Sequence, residues 1–303
     1  MLRVFEMIRI AAATRSPVII LGETGTGKEL VARAIHDLGP WCKEPFVPVD
    51  CPALTPTLIE SELFGHVRGA FTGAISNKMG LLSSAANGSL FLDEIAELPL
   101  ELQARLLRAI EEHECKPVGS TSRVRFNARI LAATHRNPVS GIREGSFRED
   151  LYFRLNVLSI TLPPLRERQM DIPLIAERML DRLHRSMNGK GGPLALSQEA
   201  LDIILDYRWP GNVRELRNVL ERAVACCSGP IIQAADLRLV SELSPPIPGY
   251  DPDENVISLK ELEQRSILRA LSACGGDKVL AARLLGIGKT TLYRRLQAWS
   301  APC

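Results

Sequence analysis

The chain has 303 residues, 46% hydrophobic and 24% charged, with a formal net charge of +2 at pH 7. That balance describes an ordinary globular protein long enough for two or three domains. No window is long and apolar enough for a transmembrane helix and the N-terminus lacks a signal-peptide pattern, so the expected location is cytoplasmic, with no membrane partner. Seven cysteines without CxxC pairs or metal spacing, two of them adjacent at Cys226 and Cys227, read as reduced thiols. The small net charge hides an uneven distribution. From Ser258 onward eight basic residues stand against three acidic ones, a net of +5, which leaves −3 for the rest. A basic module behind an acidic body points to nucleic acid.

In chain order, Val18–Leu21 reads as a buried strand. GETGTGKE, residues 22–29, follows it and opens a helix, the context a phosphate-binding loop needs. Gly22, Gly25 and Gly27, with Glu23, Thr24 and Thr26 between them, let main-chain N–H groups turn toward phosphate oxygens. The helix N-terminus adds its dipole, and Lys28 brings a point charge to the terminal phosphates. The general motif has Ser or Thr after the lysine to touch Mg²⁺, and here Glu29 stands there. On these residues alone a flexible surface loop stays open as the alternative.

GHVRGAFTGA, residues 65–74, places Gly65, Gly69 and Gly73 four apart with a lone aromatic, Phe71, among small residues. By itself the stretch reads equally as a turn with a buried Phe. His66, Arg68 and the lack of a long apolar run exclude a membrane helix contact. GSLFLDEI, residues 88–95, predicts a second short strand ending in Asp-Glu, with Asp93 placed to hold the Mg²⁺ shell and Glu94 to polarise an attacking water. This strand and the phosphate loop, about 65 residues apart, together predict ATP binding and hydrolysis. ARILAAT predicts a third strand, ending at Thr134, and alternation of this kind implies an α/β layer with a mostly parallel sheet.

From about Leu174 helical periodicity takes over, as in LSQEALDIILDY and VRELRNVLERAVAC, which predicts a smaller all-helical subdomain. SPPIPGYDPDEN, residues 244–255, reads as a linker. Beyond it, ISLKELEQRSILRALSAC is one amphipathic helix ended by Gly275 and Gly276. Asp277 is set to cap DKVLAARLLG, and Gly286 turns the chain into GKTTLYRRLQAW, a helix-turn-helix arrangement. Leu292 and Leu296 face its core and leave Lys289, Thr290, Arg294 and Arg295 outward, with Thr291 beside them. Lys289 lies where base edges are read, whereas Arg283 and Arg294 suit phosphates. A basic solvated hairpin is the alternative.

ESELFGHVRGAFTGA, GETGTGKE, GSLFLDEI, FREDLYFRLNV, LPPLRER and WPGNVREL closely resemble the sigma-54-dependent transcription activators, which are AAA+ ATPases. The likeness covers nearly the whole chain, and the tail resembles the Fis-type helix-turn-helix that ends most of them. It implies an α/β AAA+ domain at 1–173, a helical lid at 174–243, a linker at 244–257 and a DNA-binding domain at 258–303. It implies ATP and Mg²⁺ as cofactors, a homo-oligomeric, hexameric ring, sigma-54 RNA polymerase as partner, and two-fold symmetric double-stranded DNA as the site of the tail. Within the family Glu29 is ordinary. Gly69, Ala70, Phe71, Thr72, Gly73 and Ala74 match the loop tip that touches sigma-54, with Phe71 as the exposed contact and Thr72 either setting the tip or bonding the partner. Arg148 and Arg154 match arginines that reach a neighbour's γ-phosphate, against the alternative of ion pairs with Glu149 or Asp150. Arg214 matches the second sensor and Thr134 the first.

Three departures from the family are visible. His135 stands where Asn is usual. Asp50 replaces an asparagine that restrains the catalytic glutamate, so coupling to the loop is expected to differ. The segment that in the family precedes Met1 and lines the adenine pocket is missing or cut short, which implies either weak nucleotide affinity or a piece of a longer regulator. A sensory domain is likewise absent from these residues. The expected function is an ATP-hydrolysing activator that remodels the sigma-54 closed complex. The rivals are a DNA-binding repressor with a weak or uncoupled ATPase and an AAA+ machine acting on other proteins.

Overall fold

The computed structural model describes residues 1–53, 55–186, 194–227, 229–237, 263, 266–267, 269–271, 274 and 277–300. The chain divides into two compact units, Met1–Leu239 and Val240–Cys303.

In the first unit α1 (Leu2–Ala12), β1 (Val18–Leu21), α2 (Lys28–Asp37), β2 (Phe46–Asp50) and α3 (Pro56–Phe64) lead into a hairpin of β3 (Gly65–His66) and β4 (Lys78–Met79). Then come α4 (Leu81–Ser84), β5 (Ser89–Asp93), α5 (Leu100–Glu112), a second hairpin of β6 (Glu114–Cys115) and β7 (Val124–Arg125), β8 (Arg129–Thr134), α6 (Pro138–Arg143), α7 (Glu149–Leu155) and β9 (Leu158–Thr161). The main sheet runs β2-β5-β8-β1-β9, and every pairing is parallel.

Parallel strands carry helices on both faces and are therefore apolar on both sides. All six residues of β8 are buried, as are Val18, Ile19 and Ile20 of β1. The period of two in β5 sorts its side chains between the layers. Leu90 and Leu92 pack with Ile59, Leu63, Leu106 and Leu151 on one side. Phe91 packs with Val4, Ile8, Val31 and Ile35 on the other. One consequence matters for function. The strands all point the same way, so Leu21, Asp93 and Thr134 end at one edge of the sheet, while Val18, Arg129 and Leu158 begin at the other.

After the sheet, α8 (Ile172–Ser186), α9 (Gln198–Asp206) and α10 (Asn212–Cys226) surround Trp209, which is fully buried. The Ser197 hydroxyl accepts from Ala200 N at 3.2 Å and so caps α9. Two short strands, β10 (Ala195–Leu196) and β11 (Ile231–Ile232), pair in parallel among these helices. The helical periodicity carries no sign of this pair, since two residues are too few to show alternation.

In the second unit, α11 (Lys278–Leu284) and α12 (Lys289–Ser300) flank a turn at Gly286, whose φ is +66°. The Asp277 carboxylate accepts from Val279 N at 2.8 Å and Leu280 N at 3.2 Å, the expected cap. Leu292 is buried with Ala281, Ala282 and Ile267, and Leu296 packs against them. The linker 244–257 and most of the helix read in ISLKELEQRSILRALSAC lie outside the described residues.

Candidate nucleotide site and partner loop

The loop after β1 does what its glycines allow. Gly25 sits at φ +81°, and a Cβ there would fall on the Gly211 carbonyl oxygen and within 3.0 Å of Arg214 Cβ. Gly25→Ala is therefore expected to push α10 off the loop, lowering ATP affinity roughly tenfold for about 1.4 kcal/mol of strain. Isothermal titration with ATP reads this directly. Lys28 opens α2 and is buried. Its Nζ donates to Gly22 O at 3.0 Å and lies 3.1 Å from Glu94 Oε1. The Thr26 hydroxyl donates to Glu23 O at 2.7 Å. Thr24 is exposed. Glu29 lies away from this cluster, 3.7 Å from Arg33 one helical turn on.

Asp93 ends β5 and Glu94 follows it at φ +53°, a left-handed conformation uncommon for a side chain of this kind. Burial and the neighbouring Glu94 charge raise the Asp93 carboxyl above its ordinary range, against Lys28, which lowers it. The cost of two adjacent carboxylates thus falls on Asp93. For Glu94, burial acts upward, but hydrogen bonds from His135 and from Lys28 outweigh it, and its carboxyl lies below the ordinary range. It is thus an ionised acceptor at neutral pH. Cys51 is buried, and burial together with Asp93, Asp50 and Glu94 raises its thiol pKa, so it is inert.

His135 is where reading the sequence fell short. Its main-chain N donates to Glu94 Oε2 at 2.9 Å and its Nδ1 lies 2.7 Å from the same oxygen. Asp50, in register with Asp93 on the neighbouring strand, makes no hydrogen bond to Glu94 among the described residues. The hydrogen bonds that hold the Glu94 carboxylate come from position 135 and from Lys28. A titratable ring directly after Thr134 was the available signal. Thr134 is buried, its carbonyl accepts from Gly22 N at 3.3 Å, and its hydroxyl accepts from Arg136 N at 3.1 Å.

The helical region clamps the loop through residues of LPPLRER and WPGNVREL to which the sequence reading gave no role. Asn212, buried at φ +53°, accepts from Leu165 N at 2.7 Å and donates to Thr24 O at 3.0 Å and Glu23 Oε2 at 3.1 Å. Arg166 grips the Glu23 carboxylate at 2.7 and 2.9 Å. Val213 N donates to Gly25 O at 3.0 Å, and Arg168 reaches Thr26 O at 3.3 Å. Arg214, exposed in the first turn of α10, stands over Gly25.

The GAFTGA stretch closes the β3–β4 hairpin. Gly69 (φ +82°) and Gly73 (φ +106°) have open space around them, and Gly69 N donates to Ala74 O at 2.9 Å. Thr72 is exposed, Ala70 half-buried and Ala74 buried. Phe71 differs from the expected free aromatic: it is half-buried, edge-on to the His66 ring at 5.1 Å. The His66 Nδ1 is in turn 2.7 Å from the Ser61 hydroxyl on α3. The imidazole shields part of a ring that the glycines would otherwise leave in water. The most exposed apolar side chain nearby is Ile75, 83% accessible.

Comparison with known proteins matches residues 1–161 to the sigma-54 interaction domain, 166–244 to the AAA+ ATPase lid domain and 258–299 to the Fis family of bacterial regulatory proteins. The chain belongs to the sigma-54-dependent activator family. It is 46% identical to the Nif-specific regulatory protein of Azotobacter vinelandii over 98% of this chain and 57% of that protein. It is 45% identical to the response regulator protein PilR of Pseudomonas aeruginosa, over 94% of this chain and 65% of that protein. The chain thus spans less than two thirds of the length of these relatives. NtrX from Brucella abortus in complex with ATP superposes with a TM-score of 0.73 at 32% identity, covering 99% of this chain and 68% of NtrX.

In this member of the sigma-54 activators Arg148, just before α7, and Arg154, within it, are placed differently from each other. Arg148 forms a bidentate pair with Asp150, at 2.7 and 3.0 Å, within its own chain. Arg154 is exposed, and no acid pairs with it among the described residues. In the tail Arg283, Lys289, Thr290 and Arg294 are exposed and Thr291 is half-buried. Arg295 departs from the expected outward placement: it is half-buried, its Nε 3.1 Å from Glu263. Among the described residues no group of His, Cys, Asp and Glu has the arrangement of a metal cage, and no helix is long and apolar enough to cross a membrane.

Proposed function

We propose that the chain is an ATP-driven transcription activator acting on sigma-54 RNA polymerase. Glu94 accepts the proton of the attacking water, Lys28 and the Gly22–Gly27 N–H groups hold the phosphates, and Asp93 would hold Mg²⁺, which when bound offsets the triphosphate charge. Thr134 and Arg214 sense the γ-phosphate from the sheet and the lid. Arg148 and Arg154 complete the site of a neighbouring subunit in a ring, hexameric on the family pattern. Arg154 supports that arrangement, because α7 leads into the start of β9, the sheet edge away from its own phosphate loop. The tail places α12 on two-fold symmetric DNA, with Lys289, Thr290 and Thr291 toward bases and Arg283 and Arg294 toward phosphates, while Arg295 braces the module. The domain limits follow the sequence reading, with the ATPase at 1–173, the lid at 174–243 and the DNA-binding module at 258–303.

The observation that carries this reading is the short physical path between the nucleotide site and the Phe71 hairpin. Cys51 N donates to Asp93 O at 3.2 Å, α3 follows at Pro56, and the Ser61–His66–Phe71 contacts connect that helix to the hairpin tip. Nucleotide-linked movement beside Asp93 thus has few intermediates to cross before it frees Phe71 from His66 and presents it to sigma-54. ATP-dependent open-complex formation by sigma-54 RNA polymerase tests this. Phe71→Ala is expected to hydrolyse ATP within about twofold of the parent yet lose at least about tenfold in promoter opening. Promoter opening that survives the substitution removes the loop from the coupling. Good ATPase and DNA binding with no opening by the parent chain moves the repressor reading to the front.

A further inference from the structure

The edge of the sheet opposite the phosphate loop holds a concentration of charge of which the preceding reading uses Arg154 alone. A cavity of about 260 Å³ opens there, and its lining includes Arg15, His113, Arg129 and Arg154 but no acidic residue. These four come from four separate places: the approach to β1, the end of α5, the first residue of β8 and the last turn of α7. Ile110 and Phe126 are among the apolar residues beneath them. Arg129 is buried, donating to Ala11 O at 2.8 Å and Ser16 O at 3.1 Å; burial and the nearby Arg15 push its pKa down to about 10. The Arg15 guanidinium lies 4.6 Å over the Trp41 ring and donates to Asn87 O, yet its buried Nε has no hydrogen-bond partner. Arg154 has no acidic partner among the described residues. Guanidinium groups gathered without a counter-charge repel one another, and an apolar floor strengthens that repulsion and equally their attraction for an anion.

We propose that Arg15 joins Arg154 in this cavity as a further contact to the terminal phosphates of the nucleotide that the shared-site reading brings there from a second copy of the chain. The proposal deepens the reading above and rests on it. A phosphate tail is the fitting occupant because planar guanidinium forks bind phosphate oxygens bidentately. The chain's own nucleotide cannot be the source. Its loop follows the far end of β1, a strand of four residues spanning about 13 Å, with the body of the sheet in between. Arg129 is buried and held by two main-chain carbonyls and contributes field, whereas half-buried Arg15, tied to one carbonyl through a single nitrogen, and exposed Arg154 supply the contacts.

Arg15→Gln is expected to lower kcat for ATP roughly tenfold to a hundredfold, less than loss of Arg154, and to leave affinity for a fluorescent ATP analogue and the melting temperature nearly unchanged. Arg15→Lys, which keeps the charge, is expected to recover part of the rate. The deciding experiment mixes variants of the whole 303-residue chain. Arg15→Gln chains supply an intact phosphate loop and Glu94, and Glu94→Gln chains supply an intact arginine cavity. Random assortment should therefore restore about a quarter of the sites in a one-to-one mixture, well above either variant alone. Arg154→Ala mixed with Glu94→Gln is the parallel arm. Recovery in both arms supports the proposal. Recovery with Arg154→Ala alone, or a parental kcat for Arg15→Gln, overturns the assignment of Arg15 and leaves the shared-site reading standing. Failure of both arms overturns the shared site itself. If inorganic triphosphate stabilises a dilute Lys28→Ala chain through Arg15 and mixing restores nothing, the cavity belongs to a free anion and the proposal falls.

Discussion

Glu94→Gln is expected to reduce the turnover number for ATP by about 10²–10⁴-fold, the usual loss when a positioned general base is removed. Affinity should be equal or tighter. In the chain as described Lys28 Nζ is 3.1 Å from Glu94 Oε1, so the carboxylate competes with phosphate for the same cation. A neutral amide of the same shape gives up that competition. Phosphate release and analogue titration on one preparation separate the two effects, and a kcat within about threefold of the parent would remove Glu94 from the chemistry. The pH dependence has a definite sign. The folded-state pKa of Glu94 is depressed, so its ion pairs contribute stability at and above the ordinary carboxylate range and lose it as pH falls through the folded value. Activity should fail on the same acid limb, because the protonated group is no longer a base.

Asn212→Ala is expected to cost about 2–4 kcal/mol, because it strands the buried Leu165 N–H and removes the donors to Thr24 O and Glu23. For a body of this size that corresponds to a melting temperature lower by about 5–10 °C. Alanine also tolerates φ +53° less well than asparagine, whose short polar side chain suits the left-handed region. Asn212→Gly separates the terms, since it relieves the backbone but restores none of the hydrogen bonds. ATP affinity should fall in both variants, because the loop is then held only through Arg166, Arg168 and Val213. A melting curve that moves by less than about 2 °C would show that the clamp adds little. Acid should mimic the substitution in part. Hydrogen bonds from Arg166 and then Asn212 lower the Glu23 pKa, so that grip persists at neutral pH and is released as pH falls below the carboxylate range.

What could be read from the residues alone has a common character. The loop at 22–29, the Asp-Glu strand end and the limits of β1 are local: each rests on a few adjacent residues whose backbone and side-chain preferences agree. The parts that escaped are long-range. Asn212 lies 189 positions from Glu23 and Arg166 lies 143, and neither residue type declares a partner at that distance. His135 stood out as unusual, yet its pairing with Glu94 across 41 positions needed the parallel register of β5 and β8 to become visible. Phe71 was legible as an odd aromatic among glycines, but its rest against His66 depends on the hairpin closing. Arg295 fell to the same cause, since Glu263 comes from a different helical segment of the tail.

The single direction of the sheet sets a counting rule for any assembly that shares its sites. With phosphate loop and arginine cavity on opposite edges, copies that share a site must associate head to tail, and a two-fold pair cannot satisfy both edges at once. Two chains in a row then own one finished site, three own two, and only a closed ring owns one per chain. Specific activity therefore rises with concentration along the open series and reaches its ceiling when the last edge is covered. A preparation too dilute to close would look like a poor enzyme while every chain in it was sound.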